Sequence, residues 1–143
     1  MVCVAAARTL GRILRVHMPD HPEIVDGIGR IRFRGEYSLV EVVNAVTGAI
    51  AYCRDRGIPK LLVDGTGIAG VPIPSLVDRF LMAEEWALEA KSMVVVVLVV
   101  HAKYIHPQKF GVKVAADFGL VLDVYMSEME ALEWLSRGVQ PSH

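Results

Sequence analysis

Cysteine is scarce in this chain of 143 residues, and its scarcity bears on the class of protein. The two cysteines, Cys3 and Cys53, are not spaced as C-x-x-C and give no sign of the disulfide framework of a small secreted domain. Cys53 falls on the apolar face of a predicted helix, so we expect a buried free thiol there.

An excess of charge of either sign is also missing. The chain has 15 lysines and arginines against 16 acidic residues, which gives a net charge of −1. Electrostatics therefore gives no reason to expect nucleic acid or an acidic membrane surface as a partner.

The chain also lacks a long apolar run. The most hydrophobic stretch, "MVVVVLVV" at 93–100, is far shorter than the about 20 residues that a membrane-spanning helix needs. Its valines predict a strand buried on both faces, as in a parallel sheet between helices. The first residues have no basic segment ahead of their apolar ones and make a poor signal peptide, so we expect a cytoplasmic domain with no membrane span.

What the sequence does contain is enough apolar material for one core. Hydrophobic residues make up 53% of the chain, and no repeat, low-complexity tract or linker divides it. We expect a single domain over 1–143, with a poorly defined segment at 1–11.

The predicted elements follow the order β-β-α-β-α-β-α-β-α. Alternating units of this kind require a mostly parallel sheet covered by helices. We therefore predict an α/β fold with a five-stranded, mostly parallel sheet, about four helices, and an antiparallel hairpin of the first two strands at one edge. The predicted strands are 12–18, 29–35, 60–64, 93–100 and 120–126.

Three of the predicted helices begin with a serine that an acidic residue follows three positions later. This spacing is typical of a capping box, in which the two side chains satisfy backbone N–H groups of the first turn. The remaining predicted helix, the third, has Pro107 near its first turn and Gly119 just past its end. The serine–acid pairs are Ser38 with Glu41, Ser75 with Asp78, and Ser127 with Glu130.

Residues 64–70, "DGTGIAG", contain the letters of a dinucleotide-binding motif, G-x-G-x-x-G. In such sites a helix begins inside the motif and points its N–H groups at the pyrophosphate. Here Pro72 and Pro74 delay the helix, and Asp64 places a negative charge where phosphates would approach. We therefore interpret 65–74 as a loop whose glycines permit positive φ angles, and we expect no nucleotide and no cofactor.

The element order, together with "KLLVDGTG", "MVVVVLVV" and "VYMSEMEALEWL", resembles the STAS-type, SpoIIAA-like family of the STAS/SEC14 domain group. The resemblance spans about 12–137. It implies an α/β domain that binds protein partners or apolar ligands and need not be an enzyme. In the related bacterial anti-sigma-factor antagonists, a serine at the start of the helix after the third strand is phosphorylated, and Ser75 lies in that region.

The antagonists carry Asp-Ser-Ser-Gly or a similar stretch at this place, whereas this chain reads Pro72-Ile73-Pro74-Ser75. Ser75 also has an ordinary explanation, because with Asp78 it forms a helix cap. We favour the cap over the phosphorylation switch.

Ligands of open α/β sheets bind beyond the carboxyl ends of the strands. Polar and titratable residues gather at the predicted strand ends and form the best candidate ligand site in the sequence. The alternative is a solvated rim, since exposure to water also demands polar residues there. The residues of this predicted rim are Asp64, Thr66, His101, Lys103, Tyr104 and His106.

Signals for catalysis and for metal binding are weak. There is no G-x-S-x-G elbow, and neither cysteine has a histidine at a recognisable spacing, so we predict no catalytic residue. Pro19 prevents His17 and His21 from sharing a helix face. His101 and His106 would need Asp64 as a third ligand, so we expect no metal site.

Two surface features leave alternatives open. Arg30, Arg32 and Arg34 alternate along a predicted strand, where they could contact an acidic partner or protect a sheet edge from aggregation. The second helix carries further apolar residues off its main stripe, which predicts either a homodimer interface or burial under the long loop. These interface candidates are Met82, Trp86 and Leu88.

Our first hypothesis is a non-enzymatic, STAS-like regulatory or interaction domain that is oligomeric and binds a protein partner or a small apolar ligand. The first alternative is a small-molecule-binding or weakly catalytic protein that uses the predicted rim around Asp64 and His101. The second is a protein switched by phosphorylation of Ser75.

Overall fold

Strands and helices alternate along residues 21–141, which are the residues that the computed structural model describes. The order is the predicted one, and the α/β fold is confirmed. The strands are β1 (Glu23–Val25), β2 (Ile28–Glu36), β3 (Lys60–Ala69), β4 (Val95–Val99) and β5 (Leu122–Tyr125). The helices are α1 (Leu39–Asp55), α2 (Leu76–Ala90), α3 (Phe110–Asp117) and α4 (Glu128–Ser136), and Ala102–Tyr104 form one turn of 3-10 helix.

The strands form one mixed sheet in the order β1-β2-β3-β4-β5. β1 is antiparallel to β2, and the pairs from β2 to β5 are parallel. Right-handed crossovers that step across a sheet in one direction leave their helices on one face. Accordingly α1, α2 and α3 pack side by side on one face, while α4 packs on the other against β3, β4 and β5. We name these the three-helix face and the single-helix face.

A two-residue turn makes the edge hairpin. Asp26 and Gly27 have positive φ angles of 53° and 77°, and they join the paired residues Val25 and Ile28. An Asp-Gly pair of this kind is a strong hairpin signal that our sequence reading missed. The predicted first strand, 12–18, lies outside the described residues, and within them the antiparallel partner of β2 is β1.

The predicted loop at 65–74 is wrong in its first half, because β3 continues to Ala69. After an irregularity in the pairing of β2 with β3, Arg34 and Gly67 become partners. A Cβ atom at Gly67 would lie 2.6 Å from the carbonyl oxygen of Phe33, so this close approach of the strands requires glycine. Of the motif's glycines, Gly70 alone has a positive φ angle, 84°.

Each face of the sheet has its own apolar core, because side chains of a strand point alternately to the two faces. In β3, Leu61 and Val63 face the three helices, whereas Leu62 faces α4. Cys53 lies in the core of the three-helix face as a buried free thiol, as predicted, and burial raises its pKa to about 11. The buried residues of the single-helix core are Leu62, Val95, Val97, Val99, Ala131 and Leu135.

The three predicted serine caps are confirmed, and the full capping box is confirmed at Ser38 and Ser75. At Ser127 the Glu130 carboxylate instead accepts a hydrogen bond from the serine hydroxyl. The hydroxyl of Ser38 accepts a hydrogen bond from the N–H of Glu41 at 3.1 Å, and those of Ser75 and Ser127 accept in the same way from residues three positions later. Each cap satisfies a backbone donor of the first turn and stabilises its helix by about 1 kcal/mol. These local signals explain why the helix starts could be predicted.

Candidate functional site

A cavity of about 140 Å³ lies between the sheet and the three helices, near the carboxyl ends of the parallel strands, and it opens on one side. Its walls come from β3, β4 and β5 below and from α1, α2 and α3 above. They are almost entirely apolar, and representative side chains are those of Val42, Val63, Trp86, Leu98, Val112 and Val124.

Small residues leave this space unfilled. Gly65 of β3 and Ala83 of α2 are both among the lining residues, and neither carries more than a methyl group. A Cβ atom at Gly65 would lie 3.1 Å from Cδ1 of Ile68, another lining residue, so a side chain at this position would crowd the wall of the cavity. The glycine that the sequence motif drew attention to thus contributes to an apolar cavity.

The mouth of the cavity is held together by hydrogen bonds to backbone carbonyls. The hydroxyl of Tyr104 donates to the carbonyl of Val71 at 2.6 Å. The Arg79 guanidinium donates to the carbonyl of Tyr104 at 2.9 Å and to that of Pro74 at 3.2 Å. Burial lowers the pKa of Arg79. This arginine therefore joins the loop that precedes α2 to the segment that follows β4.

His106 and Lys109 complete the polar part of the lining. His106 Nδ1 accepts a hydrogen bond from the N–H of Gln108 at 3.1 Å, so in the neutral ring the proton is on Nε2, which is left as a donor. The ammonium group of Lys109 lies 2.7 Å from Oδ1 of Asp123 and is therefore already paired with a carboxylate.

The six residues of the predicted rim do not lie together in the structure. Tyr104 and His106 line the cavity, but Asp64 lies on the single-helix face, since it is the register partner of Val99, which packs against α4. Asp64 Oδ2 lies 3.0 Å from Arg32 Nε, and its Oδ1 accepts from the hydroxyl of Thr66 at 2.6 Å.

The other two residues of the predicted rim point to solvent. His101 and Lys103 are exposed and are not part of the cavity lining. The Nζ atom of Lys103 lies 5.1 Å from the ring centre of Tyr104. Four of the six predicted residues are thus outside the cavity, because proximity to a strand end does not fix the face on which a side chain lies.

The three interface candidates of α2 lie in different environments. Met82 lines the cavity, and Trp86 is 3% exposed, with its indole N–H donating to the carbonyl of Val43 at 3.3 Å. Leu88 is exposed. What sequence reasoning missed is an apolar surface that α2 exposes through four other residues. We name it the α2 stripe, and its members are Leu76, Val77, Phe80 and Leu81.

The remaining predictions concern charged and metal-binding groups. Arg32 pairs with Glu128 of α4 at 3.2 Å as well as with Asp64, so this arginine is engaged within the chain. Arg30 lies 3.7 Å from the same glutamate.

Within residues 21–141, no three His, Cys, Asp or Glu side chains lie close enough together to hold a metal ion. His17 lies outside the described residues.

The fold and the site together define an α/β protein with a mixed five-stranded sheet and an apolar cavity between the sheet and its crossover helices. Comparisons of the chain with protein-family models, with curated proteins and with solved structures found no match. In the part of the chain described, none of the helices combines the length and the apolar character needed to cross a membrane.

Proposed function

We propose that this chain is a non-enzymatic, STAS-like cytoplasmic domain that binds a small apolar ligand in the cavity and thereby regulates an interaction with a protein partner. The observation that carries the proposal is the open apolar cavity of about 140 Å³. Protein interiors are packed about as densely as organic crystals, so a space of this size is not expected in an ordinary core. An apolar cavity of roughly 150 Å³ engineered in another protein binds benzene.

The chemistry of the lining supports binding over catalysis. The described residues that line the cavity include no serine, cysteine, aspartate or glutamate, so no serine or cysteine nucleophile and no carboxylate base faces a bound ligand. The hydroxyl of Tyr104 donates to the carbonyl of Val71. The position of Asp64 on the other face weighs against a catalytic rim. The same helix, α2, lines the cavity through Met82 and Ala83 and carries the exposed α2 stripe, which supports a link between ligand and partner.

A cavity-filling variant tests ligand binding. Ala83 is 2% exposed and lines the cavity, so the added methyl groups of Ala83→Leu would occupy ligand space. With 1-hexanol as the probe, we expect at least a tenfold loss of affinity and an unchanged or raised melting temperature. Binding is measured from the shift of the Trp86 indole N–H resonance, with Trp134 on the single-helix face as the internal reference.

The matched control is Ala115→Leu, because Ala115 is fully buried but does not line the cavity. Overpacking there is expected to lower the melting temperature and to leave the affinity for hexanol unchanged. Absence of hexanol binding to the unaltered chain, or equal binding to Ala83→Leu, would contradict the proposed function.

The α2 stripe supports a second proposal, that two copies of the chain associate through this helix. Its four side chains are between 40% and 67% exposed, and exposed apolar clusters of this kind mark interaction surfaces. Val77→Lys is expected to weaken association at least tenfold. The control is Val40→Lys, because Val40 of α1 is also 67% exposed but lies outside the stripe.

Light scattering over a concentration series measures this association. We expect the mass of a dimer for the unaltered chain and for Val40→Lys, and the mass of a monomer for Val77→Lys at the same concentrations. A monomeric unaltered chain at about 100 μM, a concentration at which a dimer with a micromolar Kd is almost fully formed, would refute the association.

A further inference from the structure

The charge of the cavity lining has one sign. Arg79 and Lys109 are the charged side chains among the described lining residues, and His106 lies among them. No carboxylate lies among those residues. An apolar cavity whose ionic groups are all cationic favours a ligand that brings the opposite charge.

Arg79 is half-buried and has no carboxylate partner among the described residues, in contrast to Arg30, Arg54 and Lys109. Among residues 21–141, ion pairs form at Arg30, Arg32, Arg54 and Lys109, but none forms at Arg79. Its guanidinium donates to the two backbone carbonyls of the mouth, which are neutral. Burial without a counter-charge disfavours the charged form, and this explains the lowered pKa of Arg79.

His106 offers a second donor to the same ligand. The N–H of Gln108 occupies Nδ1 and leaves Nε2–H free to donate. Lys109 is different, because Asp123 already neutralises it at 2.7 Å. Arg79 and His106 are therefore the lining groups with unmet capacity to bind an anion.

We propose that the ligand is an apolar carboxylate, with its hydrocarbon part in the cavity and its carboxylate at the mouth, where it accepts hydrogen bonds from Arg79 and His106. This inference rests on the proposed function and narrows it to one ligand class. The cavity volume matches an acid with a short chain or a single ring, and hydrogen bonds between ionised groups are the stronger ones in proteins.

The test compares two probes of equal chain length, hexanoate and 1-hexanol, followed through the Trp86 indole resonance at pH 7. Hexanoate is expected to bind at least tenfold more tightly than hexanol. In Arg79→Gln the affinity for hexanoate is expected to fall at least tenfold and that for hexanol to change less than threefold. Arg137→Gln removes the same charge from an exposed position at the end of α4 and is expected to change neither affinity.

The outcomes separate the two levels of the proposal. If neither probe binds, the proposed function itself fails. If hexanol binds as tightly as hexanoate, or if Arg79→Gln keeps the preference for hexanoate, the cavity binds apolar ligands but the carboxylate inference is wrong. Hexanol binding to Arg79→Gln reports an intact cavity. If that binding is lost, Arg79→Lys decides, because a retained charge preserves the preference for hexanoate only if charge is its source.

Discussion

The helices cover the two faces of the sheet in different ways. On the single-helix face, α4 covers three strands at close range through Ala131 and Leu135, which are at most 1% exposed. On the three-helix face, three helices cover the larger core, yet they leave an open cavity over the strand ends. More covering helices therefore do not mean closer packing.

The difference follows from where the helices begin. α1 and α2 start just beyond the carboxyl ends of β2 and β3, and α3 starts after the longer connection that follows β4. Gly65 of β3 and Ala83 of α2 are small residues among those that line the cavity. On the other face α4 follows β5, the last strand of the described residues, and Lys60 donates to the carbonyl of Leu135 near the end of this helix at 2.7 Å. The cavity thus lies under the helices that connect parallel strands, and small residues form part of its wall.

Two leucine truncations on neighbouring strands give the largest test of this comparison. Leu62→Ala removes a fully packed side chain from the single-helix core and is expected to lower the free energy of unfolding by about 3–5 kcal/mol. Leu98→Ala, on the three-helix face, removes a side chain that already borders the cavity, so fewer contacts are lost and about 2 kcal/mol, the low end of the range for such truncations, is expected. Urea unfolding followed by circular dichroism measures both.

Equal losses for Leu62→Ala and Leu98→Ala would mean that the two faces are packed alike, and the comparison would then fail. A second readout checks the cavity itself. Because Leu98→Ala enlarges the cavity, it is expected to accept 1-octanol with higher affinity than the unaltered chain does. Leu62→Ala is expected to leave the affinity for octanol unchanged.

Much of the fold could be predicted because its signals are local. Ser38, Ser75 and Ser127 cap helices through residues three positions away, and the strands between them are apolar runs. The hairpin at Asp26-Gly27 also has a local signal, the Asp-Gly pair itself. By contrast, the extension of β3 to Ala69 depends on its pairing with β2 beyond an irregularity in the register. The local sequence does not indicate this pairing.

The candidate site was harder to predict, because it too depends on contacts between residues that are far apart in the sequence. Tyr104 and His106 were predicted because they follow a strand, but Arg79 was missed, since a single arginine in an amphipathic helix carries no signal of burial. A cavity is the space that side chains of the sheet and the helices leave between them. It depends on the packing of residues that are far apart in the sequence. The side on which Asp64 lies could have been inferred, because alternation places it opposite Val63.

Asp64 provides the smallest and most selective test of the two-face comparison. In Asp64→Asn the acceptor for Thr66 is retained, but the ion pair with Arg32 is lost, and Arg32 is 48% exposed. Exposed ion pairs stabilise proteins by about 0–1 kcal/mol, so the unfolding midpoint in urea is expected to shift only slightly. Because Asp64 lies across the sheet from the cavity, the affinities for hexanol and for hexanoate are expected to stay within twofold of the unaltered chain, with Ala83→Leu as the positive control for lost binding. A tenfold loss of affinity for either probe in Asp64→Asn, at unchanged stability, would mean that Asp64 contributes to the ligand site. The ligand would then bind at the predicted rim and not in the cavity.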